Sequence, residues 1–455
     1  MSQANEGNSA VAQTIPDANV SAMIEATEVL RTRAMTTIPA PTTDVAQQFQ
    51  FPRRPRRPGG GMPWPDARKQ ACAAPTSLTA RRLPLQAACG RLLAGDLVAL
   101  TGLPVADSSA MDGWAVAGSP PWQVVADLPA GQVLGHRLVD GQCVRIATGA
   151  VVPEGADAVL PVERSQLHET GVRPTDTDTV ATPRTHIRRA GEEAGRGDML
   201  LPAGTVVTPP VLGLAAAAGH DTLWVIPSAT VDVFVLGDEL SFSGVPTPGR
   251  TRDALGPQLP AWLGAFGAAP PSIRRLPDRL PDLTASLATS QADLIITTGG
   301  TSVGPRDHVH AAVAQAGGRV VVDGVHVKPG HPMLLAALPG DRWLVGLPGN
   351  PFAACAALLT LVRPLLGGLH GLGPAARVTA TLATAEPGRP GDGHRLLPVR
   401  RGPNGLATVL PSCGAAMLRG LAQATGLVVI PPPGAAAGDE VEYLPLPWRH
   451  LPSAT

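Results

Sequence analysis

Two glycine-rich stretches in this chain have the residue types of a phosphate cradle. Thr297-Thr298-Gly299-Gly300-Thr301-Ser302-Val303-Gly304 follows the apolar run Asp293-Leu294-Ile295-Ile296 and precedes a helix-length segment. Its glycines at 299, 300 and 304 allow close backbone approach, and Ser302 with the loop amides can donate to phosphate oxygens. Leu347-Pro348-Gly349-Asn350-Pro351 has the same strand-to-helix context, with Asn350 at the N-cap and Pro351 at the first helical position. Taken singly, such loops are more often tight turns than ligand sites. The neighbouring carboxylates change that reading. Glu239 lies in Leu236-Gly237-Asp238-Glu239-Leu240, Asp253 follows a turn later, and Asp307 stands just past the first loop. Carboxylates beside a phosphate loop repel the ligand unless a divalent cation bridges them, so the set Glu239, Asp253 and Asp307 points to Mg²⁺-assisted phosphate chemistry. Helix N-capping is the plainer role open to Asp307 and Glu239.

Three further positions are candidates. Of 36 basic residues only Lys69 and Lys328 are lysines. A lysine kept against such a drift to arginine marks a place for a compact ammonium, and Lys328, in His326-Val327-Lys328-Pro329-Gly330-His331, can offer it to an oxyanion. Upstream, Asp107-Ser108-Ser109-Ala110-Met111-Asp112-Gly113-Trp114 sets Asp112 in a turn, and Arg145-Ile146-Ala147-Thr148-Gly149 closes an apolar run. On residue type alone both are ordinary turn and strand-end positions.

Such residues need a scaffold, and 455 residues predict two to four domains. Residues 1–61, polar and ending in Phe51-Pro52-Arg53-Arg54-Pro55-Arg56-Arg57-Pro58-Gly59-Gly60-Gly61, read as a flexible extension. Residues 62–118 and 188–228 are expected to form an elongated N-terminal linker and dimerisation part, with helical spacing over 67–75 and 82–100. Short strands between Pro/Gly turns over 119–187 predict a small β module inserted in it. From 229 to 372 the apolar runs 231–237, 293–300, 319–325 and 342–349 alternate with helix-length segments, so a central three-layer α/β domain with a mostly parallel sheet is expected. Residues 373–455 return to short strands and predict a C-terminal β-barrel-like domain.

Composition excludes several classes. With 36 acidic residues against 36 basic ones, the chain lacks the excess of positive charge by which proteins bind nucleic acid or anionic membranes. Any anion must be held by local devices. Five scattered cysteines give no disulfide framework and no thiolate zinc site, which fits a reducing cytoplasm. The N-terminus lacks the basic start and apolar run of a signal peptide. The longest apolar segment, 352–362, is expected to stop at Arg363, too short for a bilayer.

Taken together and in order, the stretches Ser108-to-Val116, Arg145-to-Glu163, Ala190-to-Thr205, Leu236-to-Leu240, Ala292-to-Val309, Val327-to-Pro332 and Gly346-to-Leu366 resemble one family, the molybdopterin molybdenumtransferases of the MoeA type, whose eukaryotic counterpart is the gephyrin E-domain. The resemblance runs from about residue 64 to the C-terminus. It implies a four-part subunit that forms a homodimer, a central domain similar to molybdopterin adenylyltransferase, and a site between that domain and the N-terminal parts of the other subunit. The implied reaction takes adenylylated molybdopterin, supplied by a molybdopterin adenylyltransferase, and molybdate, cleaves the phosphoanhydride with Mg²⁺ and releases AMP. By motif position, Asp112, Thr148, Glu193, Glu239, Asp253, Asp307 and Lys328 match catalytic positions of the family. Gly299, Gly300, Ser302, Gly304, Pro348, Gly349, Asn350, His331 and Arg395 are the expected cofactor-binding residues.

This chain also departs from the family pattern. His331 replaces the second lysine of Lys-Pro-Gly-Lys-Pro, and Gly324 stands where another lysine is common. Ala353 and Ala415 replace serines, and Ala254-Leu255-Gly256 replaces Ser-Asn-Arg after Asp253. A lost charge-assisted hydrogen bond typically costs about 1.5–3 kcal/mol, so the oxyanion pocket is expected to be weaker unless Arg395, His331 or other groups compensate. With the carboxylate set and both loops retained, molybdenum insertion is the leading expectation. A non-catalytic carrier of the pterin nucleotide, or a scaffold, is the alternative.

Overall fold

A computed structural model describes residues 60–175, 182–301, 308–389, 391 and 393–448. Residues 1–59 of the expected N-terminal extension, together with Ser302, Gly304 and Asp307, lie outside the described residues.

The first elements are β1 (Met62–Pro63) and helix α1 (Trp64–Ala73), which starts with Pro65 in its first turn. Its buried residues Trp64, Ala67 and Ala71 belong to the core of the central α/β domain, and the Trp64 indole N–H donates to Thr360 Oγ1 at 3.1 Å. By packing, these residues share the core of the central domain. The helix expected over 82–100 is not formed. Pro84 and Gly90 (φ +77°) break it into β2 (Arg81–Pro84), a single turn α2 (Leu85–Ala88) and β3 (Leu92–Leu93). Leu83, Leu85, Leu93 and Leu97 cover one small core rather than a helix stripe.

The chain then leaves for a four-stranded module: β4 (Gly113–Val116), β5 (Gln123–Leu128), β6 (Gln142–Ile146) and β7 (Ala158–Pro161), in the order β5-β6-β4-β7. It enters and leaves through a paired stem, Ser108–Ser109 against Ile187–Arg188. Helix α3 (Pro209–Ala217) and β8 (Thr222–Ile226) follow, with β8 pairing antiparallel to both β2 and β3.

The central domain follows: β9 (Val231–Leu236), the short β10 (Leu240–Ser241) and β11 (Thr251–Arg252), α4 (Leu259–Ala265), β12 (Ser272–Leu276), α5 (Leu280–Thr289), β13 (Leu294–Thr298), α6 (Val309–Gln315) and β14 (Arg319–Asp323). Next come β15 (Val325–Lys328), β16 (Leu334–Leu338), β17 (Arg342–Leu347) and a 19-residue helical run α7 (Pro351–Leu369), with a π turn over Leu358–Val362. The six-stranded sheet has the order β12-β9-β13-β17-β16-β14; the first three pairings are parallel and the last two antiparallel. Alternation along the strands sends Val231, Val233 and Val235 to one face with α4 and α7, and Phe234 and Leu236 to the other with α5 and α6. That is the expected three-layer, mostly parallel domain.

Two sequence expectations are corrected here. The run 319–325 is not one central strand: Gly324, at φ +77°, turns the chain, so β14 stays in the central sheet while β15 crosses to the C-terminal sheet. And Arg363 does not stop the apolar helix, which continues to Leu369; 78% of its apolar window is buried inside the fold, so it is a core helix by burial rather than by length.

The C-terminal strands are β18 (Thr379–Leu382), β19 (His394–Arg401), β20 (Leu406–Val409), β21 (Gly426–Ile430) and β22 (Glu440–Pro445). They run β19-β20-β18-β22-β21, and β21 pairs back onto β19, which closes a small barrel. Beyond β19 the sheet continues through β15 to β1. Leu396, Leu427, Val429 and Leu444 of the barrel share the central core.

Candidate functional site

Three βα loops meet at the carboxyl ends of β9, β13 and β17. The Gly299 N–H donates to Leu347 O at 2.8 Å, and the Leu236 N–H donates to Thr298 Oγ1 at 3.3 Å. Gly299 and Gly300 both take left-handed φ, +82° and +68°, which a side chain at either position would oppose. This is the crevice beyond the strand ends where open α/β sheets bind ligands.

Beside it, β10 and β11 pair in parallel, Leu240 with Thr251 and Ser241 with Arg252, which brings Glu239 and Asp253 to the two ends of one short ladder. The Thr251 N–H donates to Glu239 O and the Asp253 N–H to Ser241 O. The Glu239 carboxylate is exposed and makes no hydrogen bond or ion pair among the described residues. It caps no helix, which removes the plainer role considered for it. Asp253 Oδ1 accepts the N–H groups of Leu255 and Gly256, each at 2.9 Å, ahead of α4.

A neighbouring carboxylate has no counterpart in the sequence reading. Asp238 and Asp278 exchange N–H to carboxylate contacts, Asp238 N–H to Asp278 Oδ2 at 3.4 Å and Asp278 N–H to Asp238 Oδ1 at 3.3 Å. Burial pushes the Asp278 carboxyl above the usual range, and the charges of Asp238 and Glu239 push the same way. The signal was the edge strand before it, Ser272-Ile273-Arg274-Arg275-Leu276, whose two arginines hid the strand pattern.

The second loop behaves differently from expectation. Asn350 occupies the N-cap position of α7 with extended backbone, and Pro351 begins the helix, but the Asn350 side chain makes no capping bond. Ala415 O instead accepts the N–H groups of Phe352 at 2.9 Å and Ala353 at 3.1 Å. The first amides of α7 are thus spent on a carbonyl from the C-terminal domain. Pro348 and Gly349 lie against the first loop, with Gly349 near Gly299 Cα.

Lys328, exposed at the end of β15, stands in register with Arg395 of β19. The Arg395 guanidinium donates to Pro387 O at 2.6 Å and lies 3.5 Å from Glu386. The His331 Nδ1–H donates to Val325 O at 2.7 Å, and its ring stacks with that of His326 at 6.3 Å. Gly324 faces His331, since a Cβ there would lie 3.3 Å from His331 O; Gly330 faces Ala353 O in the same way. Gly324, His331, Ala353 and Ala415 therefore form one chain of contacts, and four of the departures from the family pattern fall in one place.

In the β module, Asp112 Oδ1 accepts both the Thr148 N–H at 2.6 Å and the Thr148 hydroxyl at 2.8 Å. Two motifs 36 residues apart are so joined. Gly113 is required beside them because a Cβ would collide with Leu160 O of β7. Glu193 lies apart, exposed, with its N–H on Leu103 O. Among the described residues no hydrogen bond or ion pair links Asp112, Thr148 or Glu193 to the central loops.

The hydrogen bonds from Thr148, first the backbone N–H and then the hydroxyl, hold the Asp112 carboxyl below the usual range. Asp107, at the paired stem, is lowered by the Ala190 N–H and by its ion pair with Arg184. A depressed carboxyl contributes stability above its unfolded pKa of 3.8 and loses it as pH falls through the lower folded value. Acidification below about pH 4 is therefore expected to loosen the module before the central domain. Fluorescence of Trp114 and Trp122 against pH checks this, and Asp112→Asn should remove that part of the acid dependence.

Fold and site define a multidomain α/β protein with a phosphate-type crevice at the carboxyl ends of its parallel strands. Family models agree: the MoeA N-terminal region (domain I and II) matches residues 62–219, a probable molybdopterin binding domain matches 232–368, and the MoeA C-terminal region (domain IV) matches 379–446. The chain is 39% identical over 308 residues to molybdopterin molybdenumtransferase 2 of Mycobacterium tuberculosis (strain ATCC 25618 / H37Rv), covering 64% of this chain and 75% of the relative. It is 35% identical over 297 residues to the molybdopterin molybdenumtransferase of Haemophilus influenzae, covering 64% and 72%. The fold is that of the molybdopterin biosynthesis MoeA protein from Pyrococcus horikoshii OT3, with a TM-score of 0.65 at 22% identity over 85% of this chain and 100% of the other. The chain belongs to the molybdopterin molybdenumtransferase family.

Proposed function

We propose that this protein inserts molybdenum from molybdate into adenylylated molybdopterin, with Mg²⁺-dependent cleavage of the phosphoanhydride and release of AMP. The observation that carries the proposal is the meeting of three βα loops at one crevice, with the Glu239 carboxylate beside it exposed and unpartnered among the described residues. The donor set suits the metal: Mg²⁺ is usually held by one or two carboxylates together with substrate phosphates. Glu239 would hold it together with the substrate phosphates, and Asp253 and Asp307 are the other carboxylates of the expected set. Bound there, Mg²⁺ supplies neutralisation of charge on the phosphate oxygens. The left-handed backbone of Gly299 and Gly300 lets the chain approach those oxygens, and cleavage rests on positioning and charge rather than on a protein nucleophile.

Asp112, Thr148 and Glu193 stand away from this crevice within one subunit. Their role is assigned to the crevice of a second subunit in a homodimer. The donor of adenylylated molybdopterin is a molybdopterin adenylyltransferase, and the setting is cytoplasmic.

The test is incubation of the full chain with adenylylated molybdopterin, Mg²⁺ and graded molybdate. Molybdate-dependent AMP release and formation of active cofactor are expected. Tight nucleotide binding with no AMP release at any molybdate concentration would overturn the reaction and favour a carrier.

A further inference from the structure

A cleft of about 520 Å³ opens next to Asp253, lined by Val235, Phe242 and Ile273 on its apolar side and by Arg252, Asp253 and Arg275 on its polar side. Its volume lies within the range of small-molecule sites. Arg275 is opposite Val235 in the parallel register of β12 and β9, one residue short of the strand end, so it faces the same end of the sheet as the three loops. Arg252 closes β11 immediately before Asp253.

Neither guanidinium is spent. Among the described residues, Arg252 and Arg275 make no side-chain hydrogen bond and no ion pair, although the Asp253 carboxylate lines the same cleft. Arg275 is nevertheless fixed, because its guanidinium lies 3.7 Å from the Phe242 ring centroid. Stacking of this kind leaves the edge N–H groups of the fork free to bind while holding its plane. Gly256 keeps the cleft open: a Cβ there would run into Asp253 Oδ2. Two cationic forks on one cleft, one of them stacked and both unpaired, match a tetrahedral dianion, to which guanidinium binds through parallel hydrogen bonds.

We propose that Arg252 and Arg275 form an anion clamp in this cleft, taking a tetrahedral dianion, either the phosphate of the nucleotide or molybdate. The proposal rests on the reaction above and adds positive charge beside Asp253, where Ala254-Leu255-Gly256 offers none, and it leaves the Asp253 carboxylate to a cation. The pairing of an anion clamp with an adjoining carboxylate is what a metal–phosphate ligand requires.

The test is calorimetric titration of the full chain with inorganic phosphate, AMP and molybdate in turn, for wild type, Arg252→Ala, Arg275→Ala and Arg274→Ala. Arg274 is the matched control. It is the next residue on the same strand, but its guanidinium lies over Phe234, on the opposite face of the sheet. Both cleft variants should bind the clamped dianion, AMP with phosphate or else molybdate, at least about tenfold more weakly, with the control within about twofold of wild type and all thermal midpoints alike. Loss of phosphate and AMP binding alone identifies the nucleotide phosphate as the dianion; loss of molybdate binding alone identifies molybdate. Unchanged affinities for all three probes in both cleft variants, or equal weakening in the control, would overturn the clamp. Because binding is read without turnover, that result would leave the AMP-release assay standing. Conversely, wild-type binding through these arginines with no AMP release would overturn the reaction and leave the clamp.

Discussion

Replacing Glu239 with alanine is expected to lower AMP release by at least about a hundredfold, the size of effect seen when one preorganised electrostatic contact to a transition state is removed. Stability should be unchanged within about 0.5 kcal/mol, as for an exposed side chain away from structural features. The separation of the two effects follows from the geometry. Among the described residues the Glu239 carboxylate is exposed and unpartnered, while its backbone carbonyl alone takes part in the β10–β11 pairing, so truncation leaves the ladder in place. Asp253→Asn would be less clean, because Asp253 Oδ1 holds the turn at Leu255 and Gly256 and an amide there alters the fold of the loop as well as any metal contact. A single-turnover assay with saturating Mg²⁺ and molybdate reads the loss. Glu239→Gln should fare nearly as badly, since an amide keeps the shape but not the charge needed by a hard cation. Wild-type rates in both variants would remove Glu239 from the chemistry and with it the proposed metal position.

Much of the central domain could be read from the order of its residues, and the reasons are local. Strands β9, β13 and β17 are buried on both faces and so appear as continuous apolar runs, and the Gly-Gly and Pro-Gly loops after them mark the ends where ligands bind. Edge strand β12 failed that test. Two of its five residues are arginines, and its identity depends on hydrogen bonds to β9 that spacing alone does not reveal. With it went Asp278 just beyond its end, and Arg275 one residue short of that end. The segment 82–100 misled in the opposite sense. Its leucines have helical spacing, but the same side chains cover a small core from short strands once Pro84 and Gly90 forbid a long helix. Nor could spacing show that Gly324 would pass the chain from one sheet to another. That crossing brings Lys328 beside Arg395, 67 residues later in the chain, in adjacent parallel strands.

The pairing of Asp112 with Thr148 shows how resemblance and residue chemistry complement each other. On type alone each was a turn or strand-end residue. The structure ties them through two hydrogen bonds to one carboxylate oxygen, so that the loop after β6 and the turn before β4 are fixed as one rigid corner. By contrast, Asn350 stands at the expected N-cap position, but its side chain makes no capping bond. A carbonyl from a distant segment, Ala415, outcompetes the side chain for the first amides of α7, a long-range substitution invisible to a local capping rule.

Replacing Lys328 with alanine should raise the molybdate concentration needed for half-maximal AMP release by about ten- to a hundredfold, as expected for loss of one charge-assisted contact. The reason lies in how the surrounding cations are used. Arg395, its neighbour across the β15–β19 pairing, is already bonded to Pro387 O and drawn towards Glu386, so its charge is partly answered within the barrel. His331 donates its Nδ1–H to Val325 O. Lys328, exposed and unpartnered among the described residues, is then the point charge left at that end, and Lys328→Arg should not restore the wild-type value, because a planar fork does not replace a compact ammonium. His331→Lys tests the same logic from the other side. It adds a cation but removes the bond to Val325 O, so molybdate half-saturation should fall severalfold while stability drops by about 1 kcal/mol. Gly324 limits this gain, since the His331 backbone sits against it and the loop was built around the two residues together. Should Lys328→Ala leave the molybdate dependence untouched while Arg275→Ala raises it, the oxyanion is held at the β12 edge rather than at β15, and the loss of lysines around residue 331 becomes the consequence of a site that has moved.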